Sequence, residues 1–193
     1  HDALPISKIN WKALTPIFDS KDCCAPLPPS LAAEHYEQSG EVSGTMQLSG
    51  KCFDIEGTGH RDHSWGIRHW EGFHSWVALM GHFDHNFFFH VERFHEQSTG
   101  VTWHGFICRN GENMPIKKAH MEPSYAGDVQ FPEKFSIQLE EDKGKLVNII
   151  GKYRFAAPLT FGSCTVMESF GAFSMGDYSA SGIIEYGFTR EAK

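Results

Sequence analysis

Between Gly57 and Trp70 the chain reads Gly-Thr-Gly-His-Arg-Asp-His-Ser-Trp-Gly-Ile-Arg-His-Trp. Asp62 and His63 are a carboxyl and an imidazole side by side, the residue types that give and take a proton in general acid–base chemistry. Arg61 and Arg68 can hold a carboxylate ionised or bind an anionic group through paired N–H donors. Trp65 and Trp70 can wall an apolar pocket and offer their π faces to a developing cation. Gly57, Gly59 and Gly66 permit tight turns or close backbone approach. The same residues also suit a structural clasp. In that arrangement Asp62 caps backbone N–H groups, the arginines pair with carboxylates, and the tryptophans plug one end of the fold.

Two carboxyls farther along the chain are candidates for the same chemistry. Glu168 shares a strand face with Val166, Phe170 and Ala172. If that face is interior, burial raises its pKa, as a general acid requires. If Met167 and Phe173 mark the interior instead, Glu168 is solvated. Glu185 is a weaker candidate, and Tyr186 beside it is a candidate pocket hydroxyl. Trp76, Phe89 and Trp103 lie in strand-like segments and are expected to line the substrate cavity. Of the twelve histidines, His60-Arg-Asp-His63 and His82-Phe-Asp-His85 invite a metal reading. Neither matches an established zinc spacing, so no metal is expected. No Gly-rich phosphate loop and no Gly-x-Ser-x-Gly elbow occurs, and no cofactor is expected.

These residues must be positioned by strands. From His35 onward, short alternating runs separated by turn residues recur at Tyr36–Leu48, Cys52–Gly59, Phe73–Phe83, Phe87–His95, Gly100–Arg109, Met114–Tyr125, Lys134–Glu140, Lys145–Phe155, Cys164–Met175 and Ser179–Arg190. Asn110-Gly111 is the strongest hairpin turn signal. The spacing predicts an all-β fold, an antiparallel up-and-down barrel of about ten strands, because closure removes exposed edges. A two-sheet β-sandwich is the alternative. Residues 8–34 are punctuated by Pro16, Pro26, Pro28 and Pro29 and read as a linker or lead-in, with a short helix over Pro29–Glu34. Residues 35–193 are then the barrel domain. His1–Ser7 matches the translation of a common sequencing-adapter end. It is expected to be read-through and is set aside from fold reasoning.

Composition narrows the partners. The chain has 193 residues, which suits one domain. Sixteen Phe and five Trp favour an aromatic interior or an apolar ligand. The formal net charge of −7, with no basic run, argues against nucleic acid and anionic membrane surfaces. No apolar run approaches the roughly 20 residues of a membrane-spanning helix. Five cysteines, an odd number without metal or disulfide spacing, read as reduced thiols in a cytoplasmic protein.

Tyr36-Glu-Gln-Ser-Gly40, Gly44-Thr45, Gly57-x-Gly59-x-Arg61-Asp-His-Ser-Trp-Gly66-x-Arg68-x-Trp70, Arg109-Asn-Gly-Glu-Asn113 and Gly182-Ile-Ile-Glu-Tyr186 together resemble the C-terminal half of an uncharacterised domain family. That family is similar to the hydroxyneurosporene synthase (carotenoid 1,2-hydratase) and AttH-like lipocalin superfamily. The resemblance runs from Tyr36 to Arg190. It implies a calycin-like, lipocalin-type barrel, one of two in tandem, with the Pro-rich segment as the link from a missing N-terminal barrel. Relatives in the wider superfamily hydrate, isomerise or cyclise terpenoid and polyketide substrates. Others occur beside phosphotransferase-like regions with no assigned activity. The resemblance thus implies an apolar small-molecule ligand and, as the alternative, a non-catalytic module of a larger enzyme. The expected mechanism is acid-assisted. Asp62 or Glu168 protonates the substrate, His63 orients the acid or takes a proton, and Trp65, Trp70 and Trp76 stabilise positive charge.

Overall fold

The computed structural model describes residues 6–84, 86–125 and 132–189. Eight strands close into an antiparallel barrel: β5 (Phe73–Asp84), β6 (Phe87–Glu96), β7 (Gly100–Arg109), β8 (Glu112–Ser124), β9 (Lys134–Glu141), β10 (Leu146–Phe161), β11 (Cys164–Met175) and β12 (Tyr178–Thr189). Each pairs with the next in sequence, and β12 returns to pair with β5 along Ser181–Phe188 and Ser75–His82. The expected hairpin at Asn110-Gly111 forms, with both residues at positive φ (50° and 79°) and Arg109 opposite Glu112. Two positive-φ residues give the loop a twist that matches the flanking strands.

Period-two alternation decides what fills the barrel. Val77 and Leu79, Phe89 and Val91, Ile107, Ile137 and Leu139, Val147 and Ile149, Phe173 and Ile184 all point inward and are buried in one cluster. The intervening positions face out, yet on β5, β6 and β7 many of those are buried too: Trp76, Ala78, Phe88, His90, Phe94, His104 and Phe106. A second layer covers them.

That layer is a separate four-stranded sheet of β1 (Ile6–Ala13), β2 (Phe18–Asp19), β3 (Glu34–Leu48) and β4 (Lys51–Trp65). The two strands expected to begin a ten-stranded barrel are β3 and β4 of this sheet, so the barrel has eight strands. The reason is edge occupancy. β3 pairs with β4 over its whole length, and its other edge is taken by β1 at Gly40–Gln47 and by β2 at Tyr36–Glu37. β3 has no edge left for the barrel, which β12 and β5 close themselves. The near ends of β3 and β4 press on the barrel wall. Their far ends project, leaving Ile9, Leu48 and Phe53 exposed.

The stretch read as a lead-in therefore carries strands β1 and β2. Over Pro29–Glu34 there is a turn closed by the Leu31 N–H donating to the Pro28 carbonyl at 2.9 Å, rather than a helix. Of the His1–Ser7 segment, residues 1–5 lie outside the described residues, as do residues 126–131. Among the described residues no helix is long and apolar enough to cross a membrane.

If the barrel centre is packed as described, Ile137→Ala should cost about 2–5 kcal/mol in urea unfolding. A loss below about 1 kcal/mol would mean that the centre is roomy enough to hold a ligand instead.

Candidate active site

The outward face of the barrel and the inward face of β3–β4 enclose a cavity of about 190 Å³. β5 supplies Trp76, Ala78 and Met80, and β6 supplies Glu92 and Phe94. β11 adds Val166 and Glu168, and β12 adds Glu185. From the covering layer come His35 and Glu37 of β3, Asp62 of β4, and Arg68 and Trp70 of the segment that follows. Aromatic rings and carboxyls both line it. The volume falls below the roughly 300 Å³ of a typical drug-sized site, so it fits one reacting portion of a larger molecule.

Alternation splits the Gly57–Trp70 stretch in two. On β4, His60, Asp62 and Ser64 face the barrel, opposite Ser39, Glu37 and His35 of β3. Arg61, His63 and Trp65 face away. There Tyr36 stacks on His63 with centroids 5.3 Å apart and planes within 3°. Trp65 meets both rings edge-on. The Arg61 guanidinium lies 5.2 Å from the Tyr36 ring centroid and donates to Gln38 Oε1 at 2.7 Å. This outer row clasps β4 to β3, but not in the expected way: Arg61 pairs with an amide rather than a carboxylate, and Trp65 is exposed rather than plugging an end of the fold. The expected Asp62–His63 acid–base pair is thus not formed, because adjacent residues of a strand point to opposite faces. Arg68 serves both roles. It lines the cavity, donates to the Leu31 carbonyl at 2.8 Å and Ser64 Oγ at 2.6 Å, and lies 4.7 Å from the Trp70 centroid.

Of the other expected residues, Trp70 and Trp76 line the cavity with centroids 5.3 Å apart. Phe89, Trp103 and Tyr186 do not: Phe89 belongs to the packed barrel interior, and Trp103 and Tyr186 pack against it. Glu168 stands on the outward face, since Phe173 marks the interior. That face lines the cavity at this point, so Glu168 is only partly exposed. Of the second histidine group, His82 contacts Ser39 Oγ through Nε2, and His85 lies outside the described residues.

Sequence reasoning missed the group at the centre of the seam. Glu37 is 3% exposed. His35 Nε2 lies 2.8 Å from one carboxylate oxygen, and His90 Nε2 lies 3.8 Å from the same oxygen. His60 Nε2 contacts the other. Burial pushes the Glu37 carboxyl up, but His90 and His60, with hydrogen bonds from His35 and His60, hold it well below the usual carboxylate range. Burial lowers the His35 pKa too, yet its hydrogen bond to Glu37 and the carboxyls of Glu92 and Asp62 bring it up to about 9. The carboxyl of Glu92 is pushed up to about 8 by burial, against the opposing effect of His35. Burial brings His90 down to about 3 and, with Glu37 nearby, raises Asp62.

Across the cavity Glu185 faces Glu168 in strand register. Trp76 Nε1 donates a hydrogen bond to Glu185 Oε1. Burial raises the Glu185 pKa to about 7. The Trp76 hydrogen bond opposes the rise, and the charges of Glu168 and Asp62 add to it. A carboxylic acid is therefore part-protonated near neutrality beside two indoles, which the surroundings of a general acid require.

A family described as Domain of unknown function (DUF7064) matches residues 6–190. No curated protein matches the sequence. Among solved structures, kievitone hydratase from Nectria haematococca superposes with a TM-score of 0.60 at 12% identity, covering 97% of this chain and 62% of that one. An AttH-type protein from Nitrosomonas europaea superposes with a TM-score of 0.61 at 14% identity, covering 92% and 60%. The chain thus spans about three-fifths of these structures. At such identities the likeness shows the fold alone, an all-β closed barrel shared with these two proteins.

Trp76→Phe removes the N–H that opposes protonation of Glu185. In a pH titration of labelled glutamate side chains followed by NMR, its pKa should rise above about 7. An unchanged or lower value would mean that the indole does not govern this carboxyl.

Proposed function

This chain belongs to the DUF7064 family, and we propose that it binds the unsaturated end of an apolar small molecule, of terpenoid, polyketide or lipid-like class, and catalyses acid-assisted addition or removal of water there. The observation that carries this reading is Glu185, a half-buried acid raised to about 7 and bonded to Trp76 in a cavity walled by indoles. The hydratase among the solved structures of the same fold supports it as an analogy only.

In the hydration direction Glu185 donates its proton to one alkene carbon, and the π faces of Trp70 and Trp76 stabilise the positive charge left on the other. Water adds to that carbon and gives its surplus proton to the Glu168 carboxylate. Glu168 and Glu185 are cross-strand neighbours, so the proton returns between them and the catalyst is regenerated. Asp62 and Arg68 orient the water from the covering layer. The same sites suit isomerisation when the proton is lost from a neighbouring carbon.

The reading includes a second barrel as partner, as the resemblance implies. The chain's span of 62% and 60% of its structural neighbours leaves room for one, and the small cavity would gain a further wall from it. We place the protein in the cytoplasm on the odd number and irregular spacing of its five cysteines. A second reading is a non-catalytic binding module, favoured by the clasp of Tyr36, Arg61, His63 and Trp65, which touches no part of the cavity.

Native mass spectrometry of the protein purified from cells identifies any bound apolar molecule. Incubating a panel of terpenoid and polyketide alkenes in ¹⁸O-labelled water then reads hydration directly. Glu185 must be protonated to act, so the rate should hold below about pH 7 and fall as pH rises through it. Glu185→Gln should lose about 10²–10⁴-fold in rate with binding retained. Binding without label incorporation at any pH would select the module.

A further inference from the structure

We propose that Glu37, His60 and His90 bind one divalent transition-metal ion of the zinc class. One ligand atom from each can be chosen so that all lie within 4.8 Å of one another. The three come from different strands, β3, β4 and β6, which meet only where the second sheet presses on the barrel. Two imidazoles and a carboxylate are a recurrent donor set for zinc and related metals, and they leave a fourth position open. Ligand atoms around a tetrahedral zinc stand roughly 3.4 Å apart. The 3.8 Å between His90 Nε2 and Glu37 Oε1 is therefore within a small adjustment of that geometry.

An independent observation points to a ligand here. His90 is 1% exposed, and neither of its ring nitrogens has a hydrogen-bond partner; Nδ1 of His60 also lacks one. Buried imidazole nitrogens are ordinarily satisfied, and Nε2 of His90 is directed at the Glu37 carboxylate. A cation between them satisfies both. Both rings are already held: Phe88 stacks on His60 at 5.4 Å, and Phe106 meets His90 edge-on at 6.0 Å. His35 Nε2, 2.8 Å from the carboxylate oxygen that faces His90, positions it. The alternative set of His35, Glu37 and Asp62 has a single imidazole, and the Asp62 side chain is 58% exposed. The histidine spacings in the sequence give no hint of such a site, because His60 and His90 converge only through the packing of two sheets. The proposal does not depend on the reaction assigned to the cavity.

The test uses the whole chain, stripped of metal and titrated with Co²⁺ and then Zn²⁺. One Co²⁺ per chain should bind, with the d–d absorption of a low-coordinate ion and no thiolate charge-transfer band; Zn²⁺ should displace it and raise Tm. His60→Ala and Glu37→Gln, each checked for folding by circular dichroism, should weaken binding by more than the roughly 10–100-fold typical of losing an outer partner. His63→Ala, on the opposite face of β4, should bind as the wild type does. If the ligand variants unfold, X-ray absorption of the wild-type complex decides. Two imidazole nitrogens and a carboxylate oxygen support the site. Any thiolate sulfur or an all-water shell overturns it, as do absent or superstoichiometric binding and undiminished affinity in folded ligand variants.

Discussion

The Glu37 carboxylate, taken out of water between two sheets, is the constraint around which the seam is arranged. A buried charge is tolerated only where partners replace its hydration. Here His35 on the same strand and His60 on the neighbouring strand approach it closely, and His90 on the barrel wall stands 3.8 Å away. Each contact also fixes register. A one-residue slip of β3 against β4 would turn Glu37 outward and bring Tyr36 or Gln38 in. The polar cluster thus ties the covering sheet to one position on the barrel more selectively than apolar packing would.

From that docking follows the location of the candidate chemistry. A barrel of eight strands is just wide enough for side chains to fill or for one small ligand, and this one is filled mainly by Phe, Ile, Leu and Val. The cavity that holds Glu185 lies outside the wall, under the second sheet. Indoles from β5 and from the segment after β4 come together there with carboxyls from β3, β4, β6, β11 and β12. The same enclosure that forms the cavity desolvates Glu185, so fold and acidity have one cause.

Much of the fold was legible. Strand alternation and turn residues located the barrel strands, and Asn110-Gly111 marked its hairpin. The strand count was not, because pairing partners are set by which edges are free, and β1 was hidden in a stretch whose prolines resemble a linker. In the site, Asp62, Arg68, Trp70, Trp76 and Glu168 were read as functional and do line the cavity. His63 and Trp65 were read with them and do not, since the register past Gly57 and Gly59 decides which alternate residues turn inward. Phe89, Trp103 and Tyr186 were placed on the assumption that the ligand sits inside the barrel. One signal for the missed residues was available: β6 reads Phe88, His90, Glu92, Phe94 on the face opposite Phe89 and Val91. A strand with apolar residues on both faces and polar ones among them is buried on both sides.

The proposed ligand site lies outside the barrel wall. A crystal soaked with a bromine-substituted aromatic alcohol locates it directly through the anomalous signal of the bromine. The predicted peak lies between Trp70 and Trp76, within reach of Glu185. A peak among Phe89, Trp103 and Tyr186, inside the barrel, would contradict it.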